Sequence, residues 1–225
     1  MFIGHYAPAI VAATSPKAPR LGPLFIAAQL VDIAFFSFVL LGAEHMRAVP
    51  GFTVMNAMDL YSMPYTHSLI GALGFAAAWA VGTRLLGGGW PAAAIGAAVV
   101  ASHWFLDLLV HAPDLTLLGG GARYGLGLWN HPAIEMPLEV ALTGGALLFY
   151  AGRTRGARLP LVVLAVALAG VQAFNWLSPQ PTMVIDPVPA SQPLTALVAY
   201  ALLAALAFWV GRTRVLKGGP RVRLV

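Results

Sequence analysis

The stretch SHWFLDLLVHAPDL, residues 102–115, carries His103, Asp107 and His111 at steps of four inside an otherwise apolar run. On a helix that step puts successive side chains on one face, with Cβ atoms about 5–6 Å apart. An imidazole and a carboxylate so placed can share one metal ion or form a hydrogen-bonded pair, and for an isolated pair the hydrogen bond is the commoner outcome. The chain has no cysteine, which excludes disulfides and thiolate ligands, so any metal must be held by His, Asp and Glu. Neutral imidazole and carboxylate suit zinc or a similar divalent ion, at about 2.0–2.2 Å. His5, Asp32 and His67 stand in other apolar stretches and would be the partner positions.

The segments that must position these groups follow from composition. The 225 residues are 59% hydrophobic and 9% charged, with a mean hydropathy of +0.79, which implies an all-α polytopic membrane helix bundle. Crossing ~30 Å of hydrocarbon takes about 20 apolar residues, and about six transmembrane helices are expected, at 21–42, 66–86, 91–111, 132–152, 159–178 and 193–212. A shorter apolar piece, residues 2–14, is expected to be a half-inserted helix. The N-terminus lacks a charged region ahead of its apolar run and reads as mature protein. One integral membrane domain, 1–225, accounts for the chain, without internal repeats.

Of 13 Lys and Arg, all but Arg47 and Arg123 fall on one side of this arrangement: Lys17, Arg20, Arg84, Arg153, Arg155, Arg158, Arg212, Arg214, Lys217, Arg221 and Arg223. By the positive-inside rule that side, and the C-terminus with it, is cytoplasmic. The basic excess serves orientation and anionic headgroups, and no nucleic-acid partner is expected. Asp32 lies 12 residues past Arg20 and His103 12 past Pro91, so at 1.5 Å per residue both sit about 18 Å into the bilayer. His5 reaches a similar level, and His67 lies about 7 Å nearer the outer face. Ionisable groups at such depth cost a few kcal/mol, about 2.5–3.5 on insertion scales, and normally face the bundle interior and find partners.

At these residues the sequence resembles the membrane-bound metal-dependent hydrolases of bacterial inner membranes, the YdjM-like group. The family pattern places a Gly-His near the N-terminus, an Asp-x-Asp in the first long apolar segment, a His-Arg before a Thr-His-Ser, then a Ser-His-x-x-x-Asp. The matching pieces are GHYAPA with His5, QLVDIAF with Asp32, PYTHSLIGA with His67, and SHWFLD with His103 and Asp107, in order over residues 4 to 107. Two positions depart: Ala34 replaces the second acid and Ser62 the histidine of His-Arg. The resemblance implies hydrolysis, and the departures imply fewer ligands, one ion instead of two, or a chain that keeps its ion without activity.

The expected function is an intramembrane hydrolase using divalent metal, zinc first, with His5, Asp32, His67, His103 and Asp107 as ligands. The ion lowers the pKa of a water toward ~7 and polarises an ester or phosphoester oxygen; the substrate would be amphiphilic or lipid-like, entering from membrane lipid. Asp107, Glu135 and Glu139 are the candidate catalytic carboxylates. The last two, in NHPAIEMPLE, could supply a missing ligand or a base, although such a pair is more often solvated at the interface. Glu44, His45 and Asp59 belong to an outer loop that could cover the site, although ordinary loop polarity is the commoner case; His131 reads as a helix-start residue, and Trp90, Trp129, Trp176 and Trp209 as aromatic belts. The alternatives are a non-catalytic subunit with a structural ion, a haem or redox subunit with His67 and His103 as axial ligands, and a cation-coupled carrier, for which repeated halves are missing. Recruitment by a larger membrane complex stays open.

Overall fold

The computed structural model describes residues 1–218; Arg221 and Arg223, used above for orientation, lie outside the described residues. A 3₁₀ turn, Ile3–His5, leads into α1 (Tyr6–Ala12). There follow α2 (Leu21–Ala28), α3 (Leu30–Leu40), α4 (Leu69–Leu85), α5 (Trp90–Val110), α6 (Pro132–Arg153), α7 (Leu159–Leu177) and α8 (Ser191–Thr213). Prolines occupy the first turn of α5, α6 and α7, where the missing N–H costs nothing and the fixed φ suits the helix.

Four helices, α5 to α8, are long and apolar enough to cross a membrane, and α2 with α3 makes a fifth if the bent pair counts as one span. This mostly helical, apolar chain is a membrane protein. The count falls short of the six spans expected, for two physical reasons. The window 66–86 begins too early: the Ser68 side chain accepts from the Gly71 N–H and caps α4, leaving Thr66 and His67 ahead of a helix of only 17 residues. A Cβ on Gly71 would lie 2.0 Å from the Tyr65 carbonyl oxygen, so the turn that presents His67 depends on glycine there.

The window 21–42 is broken at Gln29, where φ is −107° and ψ 9°, and its two halves meet at 51°. Sharp bends occur where a foreign side chain enters the backbone ladder. Here the Ala28 carbonyl accepts from His103 Nδ1 at 2.9 Å.

The expectation of a purely α-helical chain also needs correcting, because three short antiparallel pairs are present. Strands β1 (His45–Ala48) and β2 (Met58–Ser62) form a hairpin between α3 and α4, and β3 (Leu115–Thr116) pairs with β4 (Arg123–Tyr124). At the opposite end β5 (Thr154–Gly156) pairs with β6 (Arg214–Leu216), extending α6 and α8. Arg214 is buried there, donating to Thr154 Oγ1 at 3.0 Å and to the Ala157 carbonyl at 3.0 Å, so it is a structural clasp rather than a headgroup anchor. The N-terminal segment packs inside the bundle against α2, α5 and α6, with Tyr6, Ala9 and Ile10 fully buried.

Candidate functional site

Four elements deliver the chemistry: the 3₁₀ turn brings His5, the first turn of α3 brings Asp32, the capping turn before α4 brings His67, and α5 brings His103 and Asp107. They converge near the end of the bundle where α4, α6 and α8 begin. Asp32 Oδ1 lies 3.3 Å from His67 Nε2 and 3.4 Å from His103 Nε2. Asp107 Oδ2 lies 3.0 Å from His103 Nε2 and 3.7 Å from His67 Nε2. Asp107 Oδ1 meets His5 Nε2 at 2.9 Å, and the His5 and His103 rings stack with centroids 3.9 Å apart.

Ligand bonds of 2.0–2.2 Å in a tetrahedron put neighbouring donor atoms about 3.3–3.6 Å apart. The four separations among Asp32 Oδ1, His67 Nε2, His103 Nε2 and Asp107 Oδ2 bracket that edge. Two overlapping triads, His5–His103–Asp107 and Asp32–His67–His103, have ligand atoms close enough to hold an ion. Both use His103, and its Nε2 has one lone pair, so the triads describe alternative ligand sets around one ion.

Hydrogen bonds decide which ring nitrogens are free. His103 Nδ1 faces the Ala28 carbonyl, which only accepts, so Nδ1 carries a proton and, in the neutral ring, Nε2 holds the lone pair. Thr66 Oγ1 donates to Glu44 Oε2 at 2.6 Å and therefore accepts from His67 Nδ1 at 2.9 Å, which again leaves the lone pair on Nε2. Two lone pairs thus face carboxylate oxygens. Among the described residues His103 Nε2 and Asp107 Oδ2 are buried without a hydrogen-bond partner, and buried polar atoms left so call for a water or an ion beside them. These residues fit a divalent ion.

His111, at the end of α5, joins the group: Nδ1 lies 2.9 Å from Asp114 Oδ1 and Nε2 3.5 Å from Asp107 Oδ1. Carboxylate support of an imidazole is the usual device for orienting a ligand. Glu44, which the sequence offered only as a loop residue that could cover the site, and Asp114, which it passed over, are therefore the carboxylates placed behind these imidazoles. Glu44 is fully buried rather than ordinary loop polarity, and its Oε1 also accepts from the Tyr65 and Thr66 amides at 2.8 and 3.0 Å. Asp59 instead latches the hairpin, accepting from Arg47 Nε at 2.7 Å; that hydrogen bond and its charge raise the Arg47 pKa.

Glu135 and Glu139 are both buried, not solvated at an interface, and their surroundings separate them. Glu139 Oε1 accepts from the Phe2 and Gly4 amides and Oε2 from Gln172 Nε2 at 2.8 Å, so it anchors the N-terminal turn. Both oxygens of Glu135 are buried without hydrogen-bond partners among the described residues. A cavity of about 70 Å³ is lined by Asp32, His67, Asp107, His111, Glu135 and Glu139 among others, room for a few water molecules. Trp129 packs on His111 with ring centroids 4.3 Å apart and is buried, which corrects its reading as a lipid-facing belt residue. Comparison with protein-family models, curated proteins and solved structures finds no match to this chain.

Proposed function

We propose that the cluster holds a divalent metal ion, zinc first by ligand type, and that the protein is a membrane hydrolase of ester or phosphoester bonds in amphiphilic, lipid-like substrates. The observation that carries the reading is the convergence of His67 Nε2 and His103 Nε2 on carboxylate oxygens of half-buried Asp32 and buried Asp107, at 3.0–3.7 Å. When bound, the ion supplies Lewis acidity toward an ester oxygen and makes water more acidic. The protein's own residues do the rest. Glu44 through Thr66, and the Ala28 carbonyl, keep the two imidazoles in the ligating tautomer. Glu135, unpaired and lining the cavity, is placed to take a proton from water there and return it to a leaving oxygen, as a general base and then acid. The enclosing helices exclude bulk water, which strengthens each electrostatic contact.

An inner-membrane location belongs to the same proposal and rests on the YdjM-like resemblance, while the cytoplasmic C-terminus rests on the basic residues gathered at the end of the bundle away from the cluster. The departures at Ala34 and Ser62 favour a second reading, a structural ion without catalysis. The experiment is metal analysis of detergent-purified protein combined with turnover of short-chain carboxylic and phosphoric nitrophenyl esters. A stoichiometric divalent ion, lost in His103→Ala and Asp107→Ala, with turnover lost in Glu135→Gln, is the expected result. Ion without turnover selects the second reading, and a metal-free, folded wild type overturns both.

A further inference from the structure

Beside the 70 Å³ polar cavity lies a groove of about 720 Å³, within the ~300–1,000 Å³ of pockets that enclose one small-molecule ligand. Its walls are one face of α7 (Val171, Phe174, Asn175, Ser178) and one face of α8 (Gln192, Thr195, Ala196, Ala199), with the loop through Pro179 and Pro181 over its end. No charged side chain lines it. Cavity and groove are neighbours with a common wall, since Phe2, Phe36, Asn175 and Tyr200 line both. At that junction the Tyr200 hydroxyl donates to Asp32 Oδ2 at 3.0 Å, so the groove reaches the cluster. Both walls belong to helices long and apolar enough to cross a membrane, and Phe174 at the rim is 65% exposed, so the groove opens beside the ends of two candidate spans.

Resting on the hydrolase reading above, we infer that the α7–α8 groove binds the hydrocarbon chain of a membrane lipid and delivers its ester linkage past Tyr200 to the metal cluster. An uncharged lining next to lipid selects an alkyl chain. A soluble, charged substrate would leave that lining without a partner and would have to cross the hydrophobic rim. The polar atoms of Asn56, Asn175 and Gln192 are neutral hydrogen-bonding groups suited to the carbonyl and glycerol oxygens that follow the chain.

The test uses the full chain in vesicles of phosphatidylcholine and phosphatidylglycerol doped with a phospholipid bearing a diazirine at the end of one acyl chain. After irradiation, mass spectrometry maps the adducts. The expected result is labelling concentrated on groove residues such as Phe174 and Ala199 over Val166 and Val198, on outward faces of the same helices. Ala199→Trp and Thr195→Trp, which fill the groove, should each lower groove labelling about tenfold with the ion retained, and Val198→Trp should not. Equal labelling of groove and outward faces, or labelling indifferent to both groove variants, overturns the inference and leaves the metal reading standing. Groove labelling in a metal-free wild type overturns the hydrolase reading and with it the assignment of the lipid as substrate.

Discussion

Thr66→Val isolates the tautomer argument from sterics. Valine keeps the volume and branching of a residue that is fully buried and removes only the oxygen between His67 Nδ1 and Glu44 Oε2. Glu44 keeps its two backbone amides at Oε1, so the carboxylate stays in place, while the His67 N–H loses its acceptor. Leaving a buried group unpaired costs about 1–3 kcal/mol, or about 5–150-fold in an equilibrium constant, and outer partners of metal ligands are worth about 10–100-fold in affinity. The expected outcome is zinc affinity about 10–100-fold weaker in Thr66→Val, measured by competition with a chelator of known affinity in detergent. Thr66→Ser, which restores the hydroxyl, should restore affinity. Glu44→Gln sharpens the test. Its amide oxygen must stay on the two backbone N–H groups, so its NH₂ faces Thr66, reverses the hydroxyl and moves the His67 proton to Nε2. Affinity should fall at least as far as in the valine variant. Wild-type affinity in both Thr66→Val and Glu44→Gln would refute the reasoning.

Glu139→Leu removes the acceptor for the Phe2 and Gly4 amides and for Gln172; unpaired donors at about 1–3 kcal/mol each should lower the thermal unfolding midpoint, whereas Glu135→Gln should leave that midpoint near wild type and remove turnover. Gly71→Ala meets the Tyr65 carbonyl and should lower both stability and zinc content, while Gly74→Ala, with open space around it, should be neutral or up to ~1 kcal/mol stabilising. Arg214→Met, which undoes the clasp between β5 and β6, should lower the unfolding midpoint without changing zinc affinity, because it acts at the opposite end of the bundle.

His5, Asp32, His67, His103 and Asp107 were legible because an ionisable side chain in an apolar segment is expensive and so carries information. The same logic is silent in loops, where polar residues are cheap: Glu44 and Asp114 looked like their neighbours, and only burial distinguishes them. A local signal did exist for Asp114, three residues after His111 in HAPD, a spacing that lets the carboxylate reach back to the ring. None existed for Glu44, which meets Thr66 across 22 residues of intervening hairpin. The bend in the first span was equally hidden, since no proline or glycine marks Gln29 and its partner is a histidine 75 residues away.

Hydropathy and charge by themselves determined that this chain is an apolar helical membrane protein with costly groups in several segments, because transfer free energies are properties of residues and add along a window. Caps, bends and tautomers belong to the tertiary structure. They depend on which donor meets which acceptor across distant segments, so only the assembled bundle decided that two imidazoles present lone pairs to two carboxylates at one point.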